Sequence, residues 1–213
     1  MPRANEQAYE YIKEKILSGE YKPAQRIVEY RLADEIGVSR NTIKKALLRL
    51  EQEKLLIVED NKGSVVRSMD MAEVIEYLEI REALELIIIT HAIQNITSED
   101  IALLEETLEK MKLLAKDGDL QTYSENNRKF HKVIYNAAHH EITTDMILEI
   151  KNQMLKFQIR TMNVPGRAKQ SLQEHENILE AIKKRDLEQA KAATSAHLHG
   201  VLQTAIKFKA LLF

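Results

Sequence analysis

Asn127 and His131 stand four residues apart in the string NRKFHKVIYNAAH, and His175 and His197 follow in two further helix-like strings. Residues four apart on a helix share one face. If His175 and His197 turn inward from their own helices, three imidazoles and one oxygen can converge. That donor set suits a divalent metal ion, zinc first, with nickel, cobalt or manganese as alternatives. Neutral imidazole is the ligand, so ion affinity is expected to fall below about pH 6.5. Spacing alone leaves another reading open, in which these are separate packing or surface residues. A second chemistry lies nearer the N-terminus. Arg40 and Lys44 are also four apart, on the side of their segment away from Ile43, Ala46, Leu47 and Leu50. Arginine bonds a guanine edge through two hydrogen bonds, and lysine reaches a base edge or a phosphate. Taken alone, the same residues also read as a solvated helix face.

The elements around Arg40 decide between those readings. Residues 5–18 predict a helix with Ala8, Ile12 and Ile16 on one face, closed by Gly19. The string YKPAQRIV reads as a connector. A short helix over 29–36 follows, with Leu32, Ala33 and Ile36 inward, and Gly37 breaks it. Ser39 then caps a longer helix. Two helices joined by a tight glycine turn form a helix-turn-helix, whose second helix enters the major groove by its N-terminal end. LLIVEDNKGSVVR predicts a β-hairpin turning at residues 60–63, a wing with Lys62 at its tip. Helix, turn, basic helix and hairpin in this order favour DNA binding over a merely solvated face.

The remainder reads as six helices. They cover about 71–95, 97–116, 120–138, 141–161, 167–184 and 186 to near the end, with stops at Gly118 and Pro165-Gly166. Thr97 and Asp100 have capping-box spacing, although aspartate fits that box less well than glutamate or glutamine. The fold class is mainly α. A winged helix-turn-helix over residues 1–69 precedes an all-α antiparallel six-helix bundle over residues 70–213, large enough to enclose a pocket.

Composition limits what such a chain can do. Of 213 residues, 44% are hydrophobic and 30% charged, with a net charge of -2, which fits a folded protein with a local basic surface. No cysteine is present, which excludes disulfides and thiolate metal sites. No apolar run reaches the roughly 18 residues of a membrane span. The N-terminus lacks a signal-peptide core, so a cytoplasmic location without membrane contact is expected.

AYEYIKEKILSGEYKPAQRI, RLADEIGVSRNTIKKALLRLEQEKLL and NKGSVV resemble the DNA-binding domain of the GntR family. The resemblance implies double-stranded operator DNA as partner, contacted by Arg31, Ser39, Arg40, Thr42, Lys44 and Gly63. Two departures stand out: Pro23-Ala24 replaces the usual Pro-Gly, and Lys44-Lys45 the usual Arg-Glu. NRKFHKVIYNAAH, SLQEHENILEAIKKRDLEQA and AHLHG resemble the FCD ligand-binding domain of the family's FadR-like branch, and six helices suggest its VanR-type form. The resemblance implies a metal on His131, His175 and His197, with Asn127 where the family has aspartate. It also implies a small carboxylate effector. Arg81, in REALE, and Arg160 are candidate effector cations, and each can equally form an internal salt bridge. His91, His139, His140 and His199 read as surface or packing residues. The function expected is a ligand-responsive repressor, dimeric on a palindromic operator. One competitor is a constitutive regulator whose bundle only dimerises. Another is a metal-dependent hydrolase, disfavoured by the expectation that no carboxylate lies beside the histidines.

Overall fold

The computed structural model describes residues 4–59 and 63–212. The chain divides into two compact units, Met1–Met69 and Asp70–Phe213.

The first unit runs α1 (Ala4–Leu17), β1 (Arg26–Ile27), α2 (Glu29–Ile36), α3 (Arg40–Gln52), β2 (Leu56–Glu59) and β3 (Gly63–Val66). Ala8, Tyr9, Ile12 and Ile16 of α1 pack with the buried Ile43, Ala46, Leu47 and Leu50 of α3. The two helices are also tied at the surface. Tyr9 donates to Glu53 at 2.7 Å, Lys13 to Glu53 at 2.8 Å, and Arg49 to Glu6 at 2.9 Å. Gly37 closes α2 in the left-handed region, its N–H on the Ala33 carbonyl. Ser39 then caps α3 by accepting from the Thr42 N–H at 3.1 Å.

The connector YKPAQRIV does more than connect. Arg26–Ile27 forms a third strand, and the sheet order is β1-β3-β2. Ile27 is buried there, and a two-residue strand with one apolar side chain leaves no period to read. Ala24, in the place of the usual glycine, holds φ at 61° while its N–H bonds the Val66 carbonyl at 2.9 Å. A left-handed alanine costs about 1 kcal/mol relative to an ordinary conformation. Turn residues 60–62, including the wing-tip Lys62, lie outside the described residues.

The second unit contains α4 (Met71–Asn95), α5 (Ser98–Asp117), α6 (Leu120–Ala138), α7 (Glu141–Gln153), α8 (Leu155–Met162), α9 (Arg167–Lys183), α10 (Leu187–Lys207) and α11 (Lys209–Leu212). Eight helices thus replace the six expected. The helix predicted over 141–161 breaks at Met154, and a short turn follows the last long helix. No glycine or proline marks the break. Met154 is fully buried with ψ near 0°, which redirects α8 while Gln158 still bonds the Met154 carbonyl. Complete capping boxes open two helices, Asp70 with Glu73 and Thr97 with Asp100, so the shorter aspartate does close the second. Ile88 and Ala92 of α4, Leu104 of α5, Phe130 of α6 and Ile182 of α9 anchor the core. α4 packs on α6, α7 and α10, while α9 packs on α5 and α10. That arrangement brings α4, α6, α9 and α10 to one interior. Among the described residues no helix is long and apolar enough to cross a membrane.

Candidate metal centre and nucleic-acid interface

α3 carries two kinds of cation. Arg49, in its last turn, lies over the Tyr9 ring at 3.5 Å besides bonding Glu6, so it serves the fold. Arg40, Lys44 and Lys45, in its first turns, are exposed and have no ion-pair partner among the described residues. A free, exposed cation at that end is available to a phosphate or a base. Arg31 is exposed as well, its Nε on the Tyr30 hydroxyl at 3.3 Å. Ser39 and Thr42 are engaged in the cap, their hydroxyls 2.8 Å apart. Gly63 opens β3 with φ at 83°, a conformation that favours glycine. Arg26 was missed in the sequence. It is exposed, and its Nε lies 3.8 Å from where a Gly63 Cβ would stand, which puts a further cation beside the turn end of the wing hairpin.

In the second unit α6 supplies Asn127 and His131, α9 supplies His175 and α10 supplies His197. One ring nitrogen from each buried histidine lies within 4.8 Å of the others. His175 Nε2 and His131 Nε2 are 3.1 Å apart. His175 Nδ1 donates to the Ser171 carbonyl at 2.5 Å, and His197 Nδ1 donates to Glu174 Oε2 at 2.8 Å. A carbonyl and a carboxylate only accept, so both histidines carry the proton on Nδ1 and have the lone pair on Nε2, that of His175 facing His131 Nε2. Such outer hydrogen bonds are the usual supports of ligating imidazoles. Asn127 Oδ1 is buried with no hydrogen-bond partner among the described residues. An orphaned oxygen one turn from His131 fits the fourth ligand of a divalent ion.

Glu174 corrects the expectation of no carboxylate beside the histidines. It sits in SLQEHENI, immediately before His175. Arg167 bonds it at 2.8 and 2.7 Å, in addition to His197. These partners outweigh the upward push of burial and hold its pKa below the ordinary value. A carboxylate so held makes a poor general base.

A cavity of about 60 Å³ adjoins the cluster, its wall including Arg81, Asn127, His131, Lys151, Gln158 and Arg167. Arg81 lines the cavity and also pairs with buried Glu85 at 3.0 Å. Tyr135 donates to the same Glu85 oxygen at 2.7 Å. Arg160 does not reach this wall and donates instead to the Leu211 carbonyl at 2.6 Å. The break at Met154, which no glycine or proline marks, places Arg160 on the separate helix α8. Lys151 and Arg167 are the further cations at the cavity. Burial, and then Arg81, push the Lys151 pKa down to about 7.

Both units match known families. Residues 4–66 match the bacterial regulatory proteins of the gntR family, and residues 76–200 match the FCD domain. The chain belongs to the GntR family. YdhC, an HTH-type transcriptional regulator of Bacillus subtilis strain 168, is 33% identical over 91% of this chain and 87% of its own. The gluconate operon transcriptional repressor of the same organism is 28% identical over 84% of this chain and 75% of its own. The solved structure of Escherichia coli McbR/YncC has a TM-score of 0.73 at 26% identity and covers 98% of this chain and 97% of its own. The protein is therefore a GntR-type transcriptional regulator with an FCD domain, and not an enzyme.

The buried histidines change the pH behaviour expected of this GntR regulator. Burial is the first cause that lowers all three pKa values, those of His131 and His175 well below 6.5. The imidazoles stay neutral to lower pH than free histidine, so proton competition for an ion begins below the 6.5 expected from sequence. Folding stability responds sooner. Below about 6.5 the unfolded chain takes up protons that the native chain refuses, so stability falls as pH falls. Ion-free protein should lose melting temperature steadily between about pH 7 and pH 5. An unchanged melting temperature across that span would mean that water reaches the cluster.

Proposed function

We propose that this GntR-family regulator is a cytoplasmic repressor that binds a palindromic operator as a homodimer. Its FCD domain senses a small carboxylate through a divalent ion, zinc in the first place. Asn127, His131, His175 and His197 would hold the ion. The observation that carries this reading is the imidazole cluster with the orphaned Asn127 oxygen, opening on a cavity walled by Arg81, Lys151 and Arg167. A bound ion would supply positive charge against which a carboxylate can seat. Arg81 and Lys151 can orient the rest of the acid. The effector then alters DNA binding only by its differential affinity for two states of the protein. The gluconate operon repressor supports the sign of the regulation.

Exposed apolar residues support the dimer. α4 exposes Ile80 and Ile87, and α7 exposes Ile142 and Met146. The His91 and His140 rings meet at 4.7 Å where α4 adjoins the start of α7. Apolar surface of this kind is commonly covered by a partner. Light scattering of the full chain should give twice the monomer mass. A monomer, both free and on DNA, would refute the dimer.

The DNA contacts proposed are Arg31, Ser39, Arg40, Thr42, Lys44 and Gly63, with Arg40 and Lys44 on base edges. Operator DNA selected by the purified protein should be palindromic. On that operator Arg40→Ala should cost about 1–3 kcal/mol and relax base preference at its position. Equal affinity of variant and parent in a gel-shift titration would remove Arg40 from the interface.

A further inference from the structure

Arg167 is the first residue of α9, and its side chain is only 2% exposed. Two of its nitrogens are spent on Glu174. Its Nε is buried and has no hydrogen-bond partner among the described residues, while the side chain lines the cavity. A buried guanidinium with an open donor calls for an acceptor. Glu174 in turn accepts from His197 Nδ1, so one chain of hydrogen bonds runs from the cavity wall to an imidazole of the cluster.

Gly200 makes room for that chain. It lies in the interior of α10, where glycine weakens a helix. A Cβ there would stand 2.1 Å from Glu174 Oε1, 3.0 Å from its carboxyl carbon and 3.1 Å from Gln170 Nε2. An alanine would push the carboxylate off its partners.

We propose that Arg167 Nε binds the anionic effector and that Glu174 is the positioning residue linking it to His197, with Gly200 as the clearance that admits Glu174. Glu174 fixes the His197 ring and tautomer, and Arg167 fixes Glu174. An anion seated on Nε holds Arg167 in place and so favours the ion-binding geometry, and by reciprocity the ion favours the anion. This rests on the ion-and-carboxylate reading above and adds the residue that reads the acid.

The test uses the full chain, with Co2+ as probe ion and acetate as probe anion. Glu174→Gln keeps the volume and should weaken Co2+ binding about 10–100-fold, with a shift of the visible Co2+ band. Gly200→Ala should act in the same direction; if it fails to fold, Glu174→Gln carries the test. Acetate should change the Co2+ spectrum of the parent saturably, and Arg167→Gln should need about tenfold more of it, as expected for a lost charge-assisted bond. Unchanged Co2+ affinity and spectrum in Glu174→Gln would overturn the positioning role. Equal acetate midpoints in parent and Arg167→Gln, or no response in either, would overturn the Nε assignment. A parent chain that takes up no Co2+ would instead remove the ion site itself, an outcome distinct from any defect confined to the variants.

Discussion

Glu85→Ala is expected to destabilise the FCD domain by about 3–5 kcal/mol, the range for stripping one partner from a buried ion pair. Arg81 and Glu85 have side chains 5% exposed, so water screens neither. The carboxylate also accepts from Tyr135, and its charge offsets the mutual effect of Arg81 and Lys151. Removing it leaves a buried guanidinium without its counter-charge and takes from Lys151 the carboxylate that favours its protonated form. Tyr135→Phe, which removes a single hydrogen bond to that carboxylate, should cost less, about 1–3 kcal/mol. Urea denaturation of both variants measures the difference. A loss below about 1 kcal/mol for Glu85→Ala would show that solvent reaches the pair.

His175→Ala should abolish ion uptake. The ring is fully buried, sits 3.1 Å from the His131 nitrogen and is oriented by the Ser171 carbonyl, so no neighbouring side chain takes its place. The winged helix should remain folded, because Ile12, Ile16, Leu47 and Leu50 belong to a separate core. Elemental analysis after zinc loading should find metal in the parent and none in the variant. Equal content in both would place the ion elsewhere, and none in either would leave a cavity of another kind. Asn127→Asp should tighten ion binding, since it adds a negative charge at the orphaned oxygen.

Much of this molecule is legible in its sequence where local chemistry settles the outcome. The Ile43/Leu47/Leu50 stripe, the turn at Gly37 and the cap at Ser39 each act within one or two turns, and the recognition helix follows from them. The three histidines were readable as candidates, and their convergence depends on helices packing side by side. What stayed hidden depends on long-range geometry. β1 exists only because β3 lies beside it. Met154 breaks a helix without any glycine or proline, and Arg160 on the far side of that break bonds Leu211 while the cavity wall carries Arg81, Lys151 and Arg167. Glu174 was visible beside His175 but carried no signal of its own, because its role comes from His197, twenty-three residues away.

The clasp between α1 and the far end of α3 bears on how such a regulator can be switched. Tyr9, Lys13, Arg49, Glu6 and Glu53 lock the two helices over a shared apolar seam, so Arg40 and Lys44 are displayed on a stiff body before any DNA arrives. Little ordering entropy then remains to be lost at the reading surface on binding. A stiff reading head has no internal setting for an effector to alter. In the proposed dimer, a signal from the FCD domain would act on the spacing and angle between two such heads, so the influence of the proposed effector should depend on half-site separation more than on base identity.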